Sequence, residues 1–238
     1  MNPSFDNYNP ITLGNKKMNN IPCLDKSLVD CSINCDVYNS MICYVKNNPN
    51  ERYPSRKKKL LKNDKLFKSD QFVKVISRHL RFLNCRVVRV FGSGDFDHIS
   101  KKGKIEFQNV MDMATKNKKH QFWLISRNFE LLYNWLEIEK KKIPDNIIYH
   151  FSADLKNSLT DFIKSFLRKY NIRIDYIVNS KKLSNCDASK NHKSCQENNC
   201  TKCLDSKEDR FFYVHGKHNK KRLTSWKKGK KKKEKKKK

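Results

Sequence analysis

The stretch Cys195-Gln-Glu-Asn-Asn-Cys200-Thr-Lys-Cys203 brings three thiols together, and Cys186 lies eight intervening residues upstream. A C-x2-C pair lets one turn present two thiolates to one ion, and two more thiolates complete a tetrahedron. Four thiolates suit zinc or an iron–sulfur cluster, and the spacing leaves both open. A second group comprises Cys23, Cys31, Cys35 and Cys43. It supplies either a second four-thiolate site or partners for the first.

Cys31-Ser-Ile-Asn-Cys35 is a C-x3-C pair. It is similar to the start of the cluster motif of radical enzymes that use S-adenosylmethionine. Those enzymes place a third cysteine three positions on; Tyr38 stands there, so the third thiolate falls to Cys43. Nine cysteines cannot all pair intramolecularly. The start, MNPSFDNYNP, lacks the charged and apolar regions of a secretory signal, and no apolar run has bilayer-spanning length. The expectation is an intracellular protein, cytoplasmic or nuclear, with reduced thiols that bind metal rather than form disulfides. Cys85 precedes an apolar run and reads as a core residue.

The elements that position these thiols alternate. Phe72, Val73, Ile76, Leu80 and Leu83 mark a helix. Arg86–Phe91 reads as a strand entering a Gly92-Ser93-Gly94-Asp95 loop, and Ile105–Asn117 as a helix. Gln121–Ser126 is a strand, and Asn128 caps a helix with a Leu131, Leu132, Trp135, Leu136 stripe. Asn146–Phe151 precedes a strongly amphipathic helix from Leu155 to Tyr170, then come strands at Ile172–Val178 and Phe211–Val214. Residues 44–64 are basic and weakly periodic, with Pro49 and Pro54 breaking any long helix.

Such alternation predicts an α/β fold, a partial or open (β/α) barrel with cysteine-rich loops at both ends of the domain. The expected organisation is a polar segment 1–22, one domain 23–218 and a lysine-rich tail 219–238. Ligands in such folds gather at the carboxyl ends of strands. The candidates there for catalysis are Asp95, Arg127 and His215, and for holding a cofactor Gly92, Ser93, Gly94, Asp95, Ser126 and Ser152. The GSGD glycines would let backbone amides approach an anion, or would simply serve a strand-to-helix turn. The loop resembles the glycine-rich turn that holds S-adenosylmethionine in radical enzymes.

Net charge is +29, of which the last twelve residues supply +9, leaving +20 on the rest. The alternative function is therefore a non-catalytic nucleic-acid-binding protein with structural zinc, its phosphate contacts coming from Arg56-Lys57-Lys58-Lys59 and the tail. No P-loop, G-x-S-x-G or H-E-x-x-H is present.

In order, these pieces resemble the phage gene product 88 family over roughly residues 11–218. Leu13-Gly14-Asn15-Lys16-Lys17-Met18 open the resemblance. Cys43-Tyr44-Val45 and Arg52-Tyr53-Pro54 are similar to the family's cysteine-tyrosine-alanine and tyrosine-proline. Arg89 to Phe96 resembles its serine-glycine-aspartate-phenylalanine signature, with Phe91 where the family has histidine. Ser126-Arg127 stands where threonine-lysine is usual, and Phe151-Ser152-Ala153 and His215 follow in the family's order. The resemblance implies the architecture and leaves the activity open.

Overall fold

The structure, a computed structural model, describes residues 5–13, 20–31, 53–98, 100–153, 159–178, 181–186, 202–205 and 208–213. Its strands are β1 (Cys23–Leu24), β2 (Val87–Val90), β3 (Gln121–Ser126), β4 (Ile147–Ala153), β5 (Arg173–Val178) and β6 (Arg210–Tyr213). Its helices are α1 (Pro54–Phe67), α2 (Phe72–Leu80), α3 (Lys102–Lys116), α4 (Phe129–Tyr133), α5 (Asp161–Lys169) and the short α6 (Lys202–Asp205). A π turn at Asn134–Ile138 extends α4, and a 3-10 turn spans Lys181–Leu183.

Among the described residues six strands lie in chain order and pair in parallel, forming one open sheet, with an isolated antiparallel bridge from Thr12 to Cys23 at the β1 edge. Each crossover steps the same way, so right-handed connections send the helices to one face. Period two then divides each strand. Val88, Val90, Phe122, Leu124, Tyr149, Phe151, Ile174 and Tyr176 enter the hydrophobic core with Phe107, Val110, Met111 and Leu167 from the helices. The alternate positions form a second face, described below.

Local signals explain most boundaries. Asn128 accepts a hydrogen bond from the Leu131 amide at 3.1 Å, and Thr160 one from Ile163 at 3.3 Å, so both caps satisfy orphan helix donors. Helix α1 corrects the sequence reading of 44–64. Pro54 starts this helix, because a first-turn proline has no donor to waste and a suitable φ. The periodicity is weak because the buried side mixes Leu60, Leu66 and Phe67 with Asn63 and Asp64. Strand β1 is also new. Two residues carry no alternation, yet the pairing extends through Phe91 N to Leu24 O at 3.0 Å and Lys26 N to Ser93 O at 3.0 Å. Phe162, an apolar residue within the expected Leu155–Tyr170 amphipathic helix, is exposed in α5.

The polar segment at the start of the chain packs on α1 and α2. Phe5 and Ile11 are buried in the core, and Tyr8 donates to Asn63 Oδ1 at 2.6 Å. Cys85 is half-buried against the core. Among the described residues, no helix is long and apolar enough to cross a membrane.

Candidate functional site

The carboxyl edge of the sheet gathers Asp25 after β1, the Gly92–Asp95 loop after β2 and Ser126-Arg127 after β3. Asp95 is buried and accepts from Ser126 Oγ at 2.6 Å, from Arg127 N at 2.9 Å, from Phe96 N at 2.7 Å and from His98 Nε2 at 3.2 Å. Burial pushes its carboxyl up, but the bonds from His98, Ser126 and the Arg127 amide outweigh this and hold it below the usual range. Both oxygens are thus committed to joining two neighbouring strand ends. Asp95→Asn is expected to cost about 2 kcal/mol in urea unfolding, as an amide cannot accept on both sides. The loss should shrink as pH falls through the folded carboxyl's titration, where the wild type forfeits the same contribution. Unchanged stability would refute the stapling role.

The two glycines of the loop are also occupied. A Cβ on Gly92 would lie 2.7 Å from Asp25 Oδ1, which accepts from the Ser93 amide at 3.0 Å. Gly94 has φ +78°, and a Cβ there would lie 2.6 Å from Ser27 O. Gly92 therefore admits the Asp25 side chain and Gly94 the backbone following β1. Phe91 itself has φ 63° and turns its ring into the core, 5.4 Å from Phe67 and 4.7 Å from Phe96. Ser152 does not join this group: Ser126 is in phase with the core positions Phe122 and Leu124 of β3, whereas Ser152 is in phase with Ile148 and His150 on the other face of β4. His215 lies outside the described residues.

Beneath that edge a buried ion network anchors the turn carrying Cys31. Lys26, fully buried, contacts Glu106 Oε1 at 2.6 Å and Asp30 at 3.0 Å, while Lys68 contacts Asp30 at 2.9 Å and Asp97 at 3.0 Å. Two ammonium groups thus face three carboxylates. Burial pushes Glu106 up to about 7 despite Lys26, so it holds the odd proton below neutral pH. Cys31 closes the turn through its amide to Leu28 O at 3.2 Å and is half-exposed.

Sequence reading missed the second face. Arg89, Trp123, His150, Arg173, Asp175 and Arg210 form a row across five strands. Arg89 stacks on Trp123, its guanidinium carbon 4.9 Å from a ring centroid. Trp123 Nε1 donates to His150 Nδ1 at 2.9 Å, and Arg173 also reaches that nitrogen at 2.7 Å. Asp175 Oδ2 lies 3.1 Å from the same nitrogen, so two donors and one acceptor meet at Nδ1. Burial lowers the affinity of His150 for a second proton, Arg173 and Arg89 add to this, and Asp175 opposes it. Arg173 grips Asp175 Oδ1 through Nε at 3.0 Å and Nη2 at 2.9 Å. The available signal was a pair of charges at alternate positions, Arg173 and Asp175, inside an otherwise apolar strand.

The cysteines divide between the ends. Cys23 belongs to β1, with its thiol to Ile21 O at 3.4 Å, and burial pushes it up to about 11. Cys203 is in α6, whose Cys203 and Lys202 carbonyls accept from Arg173 at the start of β5. Burial pushes Cys203 up to about 11, opposed by Arg173 and assisted by Asp175 and Cys186. Cys35, Cys43, Cys195 and Cys200 lie outside the described residues. Among the described residues no three His, Cys, Asp or Glu side chains group to hold an ion.

No curated protein and no solved structure matches the chain significantly. A family model described as gene product 88 matches residues 16–237. That span takes in nearly all the features above, from β1 with the Cys31 turn through the GSGD loop to β6, and the chain belongs to the gene product 88 family.

Proposed function

We propose that the protein is a metal-dependent enzyme on a partial (β/α) barrel, with an iron–sulfur cluster held by Cys31, Cys35 and Cys43. The observation carrying this reading is the strand order. Because β1 and β2 are parallel neighbours, the segment bearing the Cys31-x3-Cys35 pair follows one strand and GSGD the next, on the same edge. Thiolates select soft metals, and three of them leave one iron of a four-iron cluster open to an outside ligand. Such a cluster would supply single electrons. This chain's own contribution is to fix the ligands: the Lys26 network holds the base of the Cys31 turn. Cys23 is left out of the set, since it lies in the strand.

Cys186, Cys195, Cys200 and Cys203 form a second metal set in this reading, holding zinc or another cluster. Support comes from the spacing of the four thiols, with a C-x2-C pair at Cys200 and Cys203.

Elemental analysis, sulfide assay and an optical spectrum of anaerobically purified full-length protein test the proposal. Iron, sulfide and visible charge-transfer bands are expected, with the bands lost in Cys31→Ala while circular dichroism is retained. Colourless protein with stoichiometric zinc would overturn the iron–sulfur assignment. Absence of any bound metal would overturn the whole reading.

A further inference from the structure

We propose that the second sheet face binds the phosphate or carboxylate group of a small organic ligand, with Arg210 as a principal contact. This goes beyond the metal reading and does not depend on it. Arg210 is 4% exposed, and among the described residues it makes only a weak Nη2 contact to Lys202 O at 3.3 Å. Its Nε is buried without a hydrogen-bond acceptor, and among the described residues no carboxylate pairs with it. A guanidinium cannot escape burial by losing its proton, so a buried one calls for a counter-charge.

The neighbours do not supply that charge. Asp175, beside Arg210 in the β5–β6 register, is already gripped by Arg173 through two nitrogens. His150 is held neutral. Asp175 Oδ2 in turn lies 3.1 Å from His150, so both oxygens of this carboxylate are engaged away from Arg210. An oxyanion with two free oxygens matches the planar fork of an arginine.

The same face also indicates the rest of the ligand. Phe212 lies two residues beyond Arg210 and pairs in register with Ile177, both on the second face and half-buried. Trp123 is on this face too. A ligand anchored by its anionic end at Arg210 would lay an apolar or aromatic body over Phe212 and Ile177, toward the carboxyl edge.

Thermal unfolding and calorimetric titration of the full-length protein, as purified, provide the test. The probes are inorganic phosphate, phenyl phosphate and benzoate, each against sodium chloride of equal ionic strength. Saturable stabilisation is expected, with phenyl phosphate or benzoate exceeding inorganic phosphate. The stronger of those two distinguishes a phosphate from a carboxylate ligand. Arg210→Met should weaken binding roughly 10- to 100-fold, the range for losing a charge-assisted contact. Lys102→Met removes the same charge from an exposed helix position and should leave binding unchanged. Metal content measured on each sample separates loss of anion binding from loss of the metal. The proposal is overturned if no probe binds better than chloride, or if both variants weaken binding equally. Should Arg210→Met fail to fold, the wild-type titration against chloride still decides.

Discussion

Lys26→Met is expected to cost about 3–5 kcal/mol of stability at pH 7, measured as the shift in urea unfolding free energy. The Lys26 ammonium is fully buried between Glu106 and Asp30, 5.5 Å from the centroid of the Phe67 ring. Methionine preserves most of that packing, so the cost is electrostatic: Asp30, Asp97 and Glu106 would share the single charge of Lys68. A loss below about 1 kcal/mol would show that the ammonium is not needed there.

The pH dependence gives a second readout. The folded Glu106 carboxyl titrates at about 7, above its ordinary 4.5. Between those values the folded state keeps a proton that the unfolded state has released. The associated stability is full below the unfolded value and is lost as pH rises through 7, by up to about 3 kcal/mol. Glu106→Gln should flatten the stability profile between pH 5 and 8. A profile identical to wild type would place the titration elsewhere. Because the network holds the base of the Cys31 turn, Lys26→Met should also reduce metal retention.

Gly94→Ala is expected to destabilise the protein by about 3 kcal/mol in the same assay. A residue with a side chain at φ +78° loses about 1–2 kcal/mol in the left-handed region. Its Cβ would also press on Ser27 O at 2.6 Å and Lys26 Cβ at 2.7 Å, one a backbone atom and the other held by a buried side chain. Gly92→Ala should cost less, because its φ is not left-handed and its nearest obstacle is the Asp25 carboxylate rather than backbone, so the loss is that of the Asp25 bond to the Ser93 amide. If these glycines instead served only to admit a ligand, both alanine variants would keep wild-type stability and lose only ligand binding. The two measurements separate a packing role from a cradle.

Several strand spans were legible because alternation of period two is a local property. Gln121–Ser126 is a strand in both readings, and the Asn128 cap is a side chain three residues from its donor. Helix α1 was hidden because its buried side is half polar, and β1 because two residues cannot display a period. The grouping of Asp95 with Ser126 and Arg127 agrees with the expected gathering of strand ends. Its role differs, since the bonds made there satisfy the carboxylate and close the junction.

By itself the sequence determined the α/β alternation, the thiol spacing and the glycine–aspartate loop, each encoded within a few neighbouring residues. Only the tertiary structure decided what those parts face. Lys26 and Glu106 are eighty residues apart, and no local pattern couples an ammonium to a carboxylate over that separation. In the sequence Arg89 and Arg173 are isolated basic residues within separate apolar strands, and Arg210 falls just before the expected Phe211–Val214 strand. Their convergence on one face follows from parallel register between strands, which is set by packing of the opposite face against the helices.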